Sequence, residues 1–354
     1  MMLNYPLVSS SSSYSLAFCS SLYLCIFFSF LLLQALLPAI QNCHSLALLM
    51  DSNFGTGSKD HDRLEATIVL LQDTFSKSLK GGSDFPILDA PSSAGSPSSS
   101  LSEAGSKKTL VLPVVNLLFA SYFKLNTLRL CKNIQQPVEN KRLHLAVNNL
   151  GGKGATLVYR YYTGRLAMFE NDYEAAEEAL AFAYENCPAG EGAGGNNRRR
   201  ALAYLIPVRL LRGVFPTAEL LEENGMAGVF GDIVEGLRLG DLRRFNDGLR
   251  SNHQAFIKNG TYLLVESCQV LCFRNLFKRV YLISEKTQLP ISSLTTAFKW
   301  LGVEMDADEV ECVLANLIFK GYVRGYISHS KRILVLSKKE PFPAAMIAAA
   351  YKNA

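Results

Sequence analysis

The sequence predicts a mainly α protein: a tetratricopeptide-like helical-repeat solenoid capped by a winged helix with a small β-hairpin. Three observations predict it. From Leu110 onward apolar residues recur at spacings of three and four almost throughout, the period of one helix face. Thr156–Asn186 reads as two helices joined by a short turn, the unit of a stacked repeat. After residue 261 the order becomes three helices and then two alternating runs, Val323–Ser328 and Ile333–Ser337, which is the order of a winged helix.

Residues 1–50 are set apart by composition: they contain no Asp, Glu, Lys or Arg. Leu22–Ile40 is almost wholly apolar, close to the roughly 20 residues a membrane span needs. Three readings stand for this segment: a membrane span, a secretory signal, or a mistranslated upstream region. A signal usually begins with basic residues, and here a serine tract, Ser9–Ser13, stands in their place. On each reading residues 1–50 are expected to lie outside the fold. Residues 51–108 should contribute one helix, 62–80, with Leu64, Ile68, Leu71 and Phe75 on its apolar face, and then a Ser/Pro/Gly linker over 90–106.

Residues 109–260 should form the repeats. The apolar stretch from Val111 to Ile134 reads as two short helices or one kinked pair. Tyr159, Tyr162, Leu166 and Phe169 line the next helix, Asn171–Asp172 supply a turn and N-cap, and Ala176, Leu180 and Ala183 line its partner. Small residues at Gly164, Ala167 and Ala176 permit a close approach. A glycine-rich loop, Pro188–Asn197, follows, then a helix Ala201–Leu211 with a kink expected at Pro207. Further helices are expected over Thr217–Glu223, Val229–Leu237 and Asp241–Asn252, the last capped by Asp241. Residues 261–343 should form the winged helix, from Tyr262–Ser284, Ser292–Leu301, Asp306–Lys320 and the hairpin, with 344–354 as a tail.

Catalytic and metal chemistry find no pattern. The eight cysteines form no CxxC pair. Cys268 and Cys272 sit four apart on an apolar helical pattern and read as buried thiols, so no metal and no cofactor is expected. Scattered, unpaired cysteines fit a reducing compartment. Gly151–Gly154 superficially suggests a phosphate loop, but Val147 and Gly154 stand where Gly and Ser or Thr are needed, so it reads as a plain loop. None of the five histidines pairs with a nucleophile in a local pattern.

Charge points elsewhere. Residues 109–354 hold 30 basic and 23 acidic side chains, a balance of +7 that suits an anionic partner. In the winged helix the candidate nucleic-acid-binding residues are Arg274 and Lys278 on one helix, Lys320 and Arg324 flanking the hairpin, Lys331 and Arg332 at the wing tip, and Lys338 and Lys339 at the strand end. Asp306, Asp308, Glu309 and Glu311 occupy the start of the third helix, where a DNA-reading winged helix approaches the major groove. Base-specific readout is therefore not expected. Aromatic Tyr322, Tyr326 and Phe342 are candidate partner-binding residues.

Three segments carry a family resemblance: Val158–Cys187 (VYRYYTGRLAMFENDYEAAEEALAFAYENC), Phe273–Ile283 (FRNLFKRVYLI) and Asp308–Pro343. They resemble the PCI-domain subunit of the nuclear-pore-associated transcription and mRNA export complex, related to the yeast Thp proteins, and the resemblance runs from about Leu64 to Pro343. It implies a non-enzymatic nuclear scaffold of helical repeats and a winged helix. It further implies pairing with a large Sac- or GANP-type scaffold and a small acidic Sem/Dss subunit, and a share in RNA binding. A PCI subunit of a signalosome-associated complex is the alternative within the fold. A membrane-anchored helical protein is the alternative outside it. Members of the family carry further helices before the one at Leu64, where this chain has its uncharged apolar segment.

Overall fold

The computed structural model describes residues 37–48, 62–80, 110–140, 152–190 and 192–343. Most of Leu22–Ile40, the linker 90–106, Val147 and the tail 344–354 lie outside them. Among the described residues no helix is long and apolar enough to cross a membrane. The chain divides into two compact units, 1–162 and 163–354.

The first unit contains α1 (37–48), α2 (Asp62–Lys80), α3 (Val111–Lys124), α4 (Arg129–Asn140) and the start of α5 (Gly152–Phe169). Helix α2 has the expected bounds, and Leu64, Ile68, Leu71 and Phe75 are all buried. It packs on α3, whose Val111, Leu112, Val115, Leu118 and Phe119 have almost no exposure, and Gln72 Nε2 donates to Tyr122 Oη at 2.7 Å. Residues 1–50 do not lie wholly outside this unit. In α1 His44 and Ala47 are buried, and His44 Nε2 lies 2.9 Å from Ser121 Oγ. Burial, with the Lys124 charge adding to it, lowers the His44 pKa, so the ring packs as a neutral polar group. Gly152–Gly154, expected as loop, form the first turn of α5, where the helix asks for no intrahelical donors.

The second unit continues with α6 (Tyr173–Asn186), α7 (Ala193–Leu211), α8 (Ala218–Glu223), α9 (Ala227–Leu239), α10 (Leu242–Ser251) and α11 (His253–Asn259). Consecutive helices pair, α6 with α7 and α9 with α10. Asp172 caps α6 through the Ala175 N–H and Asp241 caps α10 through those of Arg243 and Arg244. Gly164 allows the close approach of α5 and α6, since a Cβ there would stand 2.7 Å from Leu180 Cγ. Glu177 on α6 pairs with Arg209, at 3.1 Å, and with Arg212, both near the end of α7. One expectation gives way. Helix α7 begins inside the glycine-rich stretch, at Ala193 rather than Ala201, and Pro207 lies within it as expected. The buried run Ala201, Leu202, Leu205, Ile206 and Val208 holds it together where local propensity does not.

The winged helix comprises α12 (Tyr262–Ser267), α13 (Gln269–Ser284), β1 (Gln288–Pro290), α14 (Ile291–Trp300), α15 (Ala307–Phe319), β2 (Gly325–Ser328) and β3 (Ile333–Leu336). The expected long helix Tyr262–Ser284 is thus two, divided at Cys268. The sheet is antiparallel with order β1-β3-β2, pairing Leu289 with Leu334 and Tyr326 with Val335. It has one strand more than the expected hairpin. Gln288–Pro290 is too short for alternation to mark it, and it becomes a strand because β3 offers it an edge. Phe277 and Phe298 meet edge to face at 5.7 Å, beside buried Leu289, Leu294, Val310, Leu314 and Leu334.

Asp306 closes a capping box on α15: it accepts from the Glu309 N–H at 2.7 Å while Glu309 Oε2 accepts from the Asp306 N–H at 3.0 Å. Asp306→Ala is expected to cost about 1 kcal/mol. Denaturant titration against the exposed control Glu304→Ala checks this, and equal midpoints for the two would refute it.

The winged helix packs on the repeats at a seam between α9 and α13. Gly240 ends α9 with φ 68°, and a Cβ there would stand 2.4 Å from the Leu276 backbone nitrogen. Asn275 Nδ2 donates to the Leu237 carbonyl at 2.7 Å, satisfying one of the last acceptors of α9.

Candidate nucleic-acid interface

The hairpin brings the wing tip, His329–Arg332, back over the first turns of α15. Arg332 has φ 52°, in the left-handed region. Its guanidinium donates to Asp308 Oδ1 and, at 3.2 Å, to Glu311 Oε1, while His329 Nδ1 lies 2.6 Å from the other Glu311 oxygen. The hydrogen bond to Asp308 is the main cause raising the Arg332 pKa and holding it charged. The wing therefore does not project two free charges. Arg332 is balanced by the acids of the third helix, and Lys331 alone of the pair is exposed without an ion-pair partner among the described residues.

The other candidates divide by burial. Arg274 is no surface cation: it is 6% exposed, and it donates to Asn275 Oδ1 at 2.7 Å and to the Phe342 carbonyl at 3.1 Å. Burial lowers its pKa, and its position inside the fold takes it out of a phosphate surface. Lys278, four residues on, is exposed, as is its neighbour Arg279, which the sequence reading passed over. Lys320 is half-buried at the C-cap of α15. Arg324 is half-buried and sits 3.4 Å from Glu340. Lys338 and Lys339 follow β3 and are exposed.

The partner-binding candidates divide likewise. Tyr322 and Phe342 are buried, the latter against Tyr281 at 5.9 Å between ring centres, so both are core. Tyr326 is exposed on β2. Among the described residues the winged helix leaves Leu263, Leu282, Ile283, Trp300 and Phe319 in solvent, and the three most exposed, Ile283, Trp300 and Phe319, stand at the C-terminal ends of α13, α14 and α15. Trp300 and Phe319 stand off the buried stripes of their own helices, which run through Ile291, Leu294 and Phe298 and through Val310, Leu314 and Leu317.

Other chemistry is thin. Burial pushes the Cys268 and Cys272 thiols well above their ordinary range, as expected for packing groups. No group of three His, Cys, Asp or Glu among the described residues has the placement to hold a metal ion.

Residues 249–338, from the end of α10 to just past β3, match the PCI domain family. The chain is 39% identical over 241 residues to the PCI domain-containing protein 2 homolog of Dictyostelium discoideum, covering 68% of this chain and 54% of that protein. It is 38% identical over 239 residues to PCI domain-containing protein 2 of Danio rerio, covering 67% and 58%. It is also 31% identical over 318 residues to Enhanced ethylene response protein 5 of Arabidopsis thaliana, covering 88% and 70%. The chain thus spans little more than half the length of the first two. The winged helix that the family match covers and the helices before it, shared with these relatives at such identity, make this chain a member of the PCI-domain protein family.

Proposed function

We propose that the protein is a non-enzymatic scaffold subunit coupling transcription to nuclear mRNA export. It would pair with a large Sac- or GANP-type scaffold and a small acidic Sem/Dss subunit at the nuclear pore. The observation that carries this reading is the similarity to PCI domain-containing protein 2 from several organisms across two-thirds of the chain. Ile283, Trp300, Phe319 and Tyr326 are the side chains offered to a protein partner, in place of Tyr322 and Phe342. Purification of the tagged full chain from its own cells, followed by mass spectrometry, tests the assignment. Recovery of the Sac/GANP-type scaffold is the expected result, and recovery of signalosome subunits instead would overturn it.

RNA binding belongs to the same reading. Lys278, Lys331, Lys338 and Lys339 are the exposed cations that would meet phosphate, with weak, sequence-tolerant affinity in the roughly micromolar range at physiological salt. Reversing Lys331, Lys338 and Lys339 together to Glu is expected to weaken RNA binding by more than about tenfold and to flatten the salt slope by about 2. Titration of a labelled single-stranded RNA at several salt concentrations checks both. A triple variant that binds as wild type removes the wing from the reading.

A further inference from the structure

The α15 acids that hold Arg332 have a role the capping box does not account for. Asp306 and Glu309 serve the helix N-terminus. Asp308 and Glu311, from the same turns, are turned on the wing instead. The wing's backbone does not depend on them. Its turn is fixed by the β2–β3 register, by the Arg332 N–H donating to the His329 carbonyl at 3.1 Å, and by the Ile291 N–H donating to the Arg332 carbonyl at 2.9 Å. The Arg332 side chain is therefore able to change partners while the turn stays formed. It also stays within reach of solvent: its side chain is 44% exposed and that of Asp308 69%, whereas that of Glu311, at 11%, anchors the group.

We propose that Asp308 and Glu311 form an electrostatic mask on the wing, an autoinhibitory contact that withholds Arg332 from the phosphates of single-stranded nucleic acid. The inference rests on the RNA-binding reading above. A phosphate presents the guanidinium with the same forked acceptor geometry as a carboxylate. An RNA strand at the wing thus competes with Asp308 and Glu311 for one cation, and it meets the two carboxylates as repelling charges. With the mask in place the tip offers Lys331. With the mask removed it offers Lys331 and Arg332, and one more phosphate is neutralised on binding.

The test uses the full chain and a labelled oligouridylate of about 20 nucleotides, titrated over a range of salt. Asp308→Asn with Glu311→Gln is expected to tighten binding about tenfold at low salt and to steepen the log–log salt slope by about 0.7, the increment for one added single-strand phosphate contact. Adding Arg332→Gln should return the slope to its wild-type value. The mask is overturned if the double variant binds with the wild-type slope, or if its steeper slope survives loss of Arg332. Asp308→Asn alone lies outside the capping box and leaves the anchoring Glu311 in place. It guards against a folding defect and should give a gain of about threefold. Absence of RNA binding in the wild type and in every variant would fell the RNA-binding reading itself. Wild-type binding with no response to the acids would fell the mask alone.

Discussion

Arg274→Glu is expected to destabilise the winged helix by about 4 kcal/mol or more. The guanidinium is buried on α13 and ties that helix to the segment leaving the sheet, through the Phe342 carbonyl. A glutamate there would bury a carboxylate opposite a carbonyl oxygen, with neither donor left. Arg274→Met keeps the apolar stem and loses only the donors, so about 1–3 kcal/mol is expected. Neighbouring Lys278→Glu, on the exposed side of the same helix, should stay within about 0.5 kcal/mol of wild type. Denaturant unfolding of the full chain ranks the three. A glutamate variant with wild-type stability and lost RNA affinity would reinstate Arg274 as a surface contact.

The second large effect is expected at the seam. Gly240→Val places a branched side chain at a left-handed φ and drives its Cβ into the backbone of Leu276, for a loss of about 3 kcal/mol or more. Gly228 is the comparison, since a Cβ there meets nothing within 4 Å; Gly228→Ala should be neutral or slightly stabilising. Because Gly240 joins repeats to winged helix, its replacement should also lower hydrogen-exchange protection in α13 and α9 together. Loss confined to α9 would show that the two move independently.

Where local spacing decides, the sequence was a sufficient guide. Helix α2 is bounded as its apolar face predicts, and Asp172 and Asp241 cap the helices they precede. The failures lie where a distant residue decides. Arg274 and Lys278 share a helical spacing but not a fate, because Phe342, far along the chain, comes to lie over one and not the other. Arg332 reads as a projecting charge until the hairpin folds it onto Asp308. Gln288–Pro290 carries no signal of its own, since its strand is made by its partner. The glycines of 193–197 favour a loop by themselves, and a helix because of the buried residues that follow them. The PCI resemblance reached the fold and the family, but it held no information on which cations the fold would bury.

The strand order has a consequence for synthesis. The central strand, β3, is the last to be made, and it alone joins β1, which precedes α14, to β2, which follows α15. On a translating ribosome α13, α14 and α15 emerge with Leu294, Phe298, Val310 and Leu314 lacking the sheet that covers them, and nothing can pair with Leu289 until Leu334 has cleared the exit. A chain cut short before Ile333 therefore keeps every helix of the described residues and loses the lid of its core. Such a nascent or truncated product should engage chaperones and be degraded quickly, although every helix of the winged helix has been made.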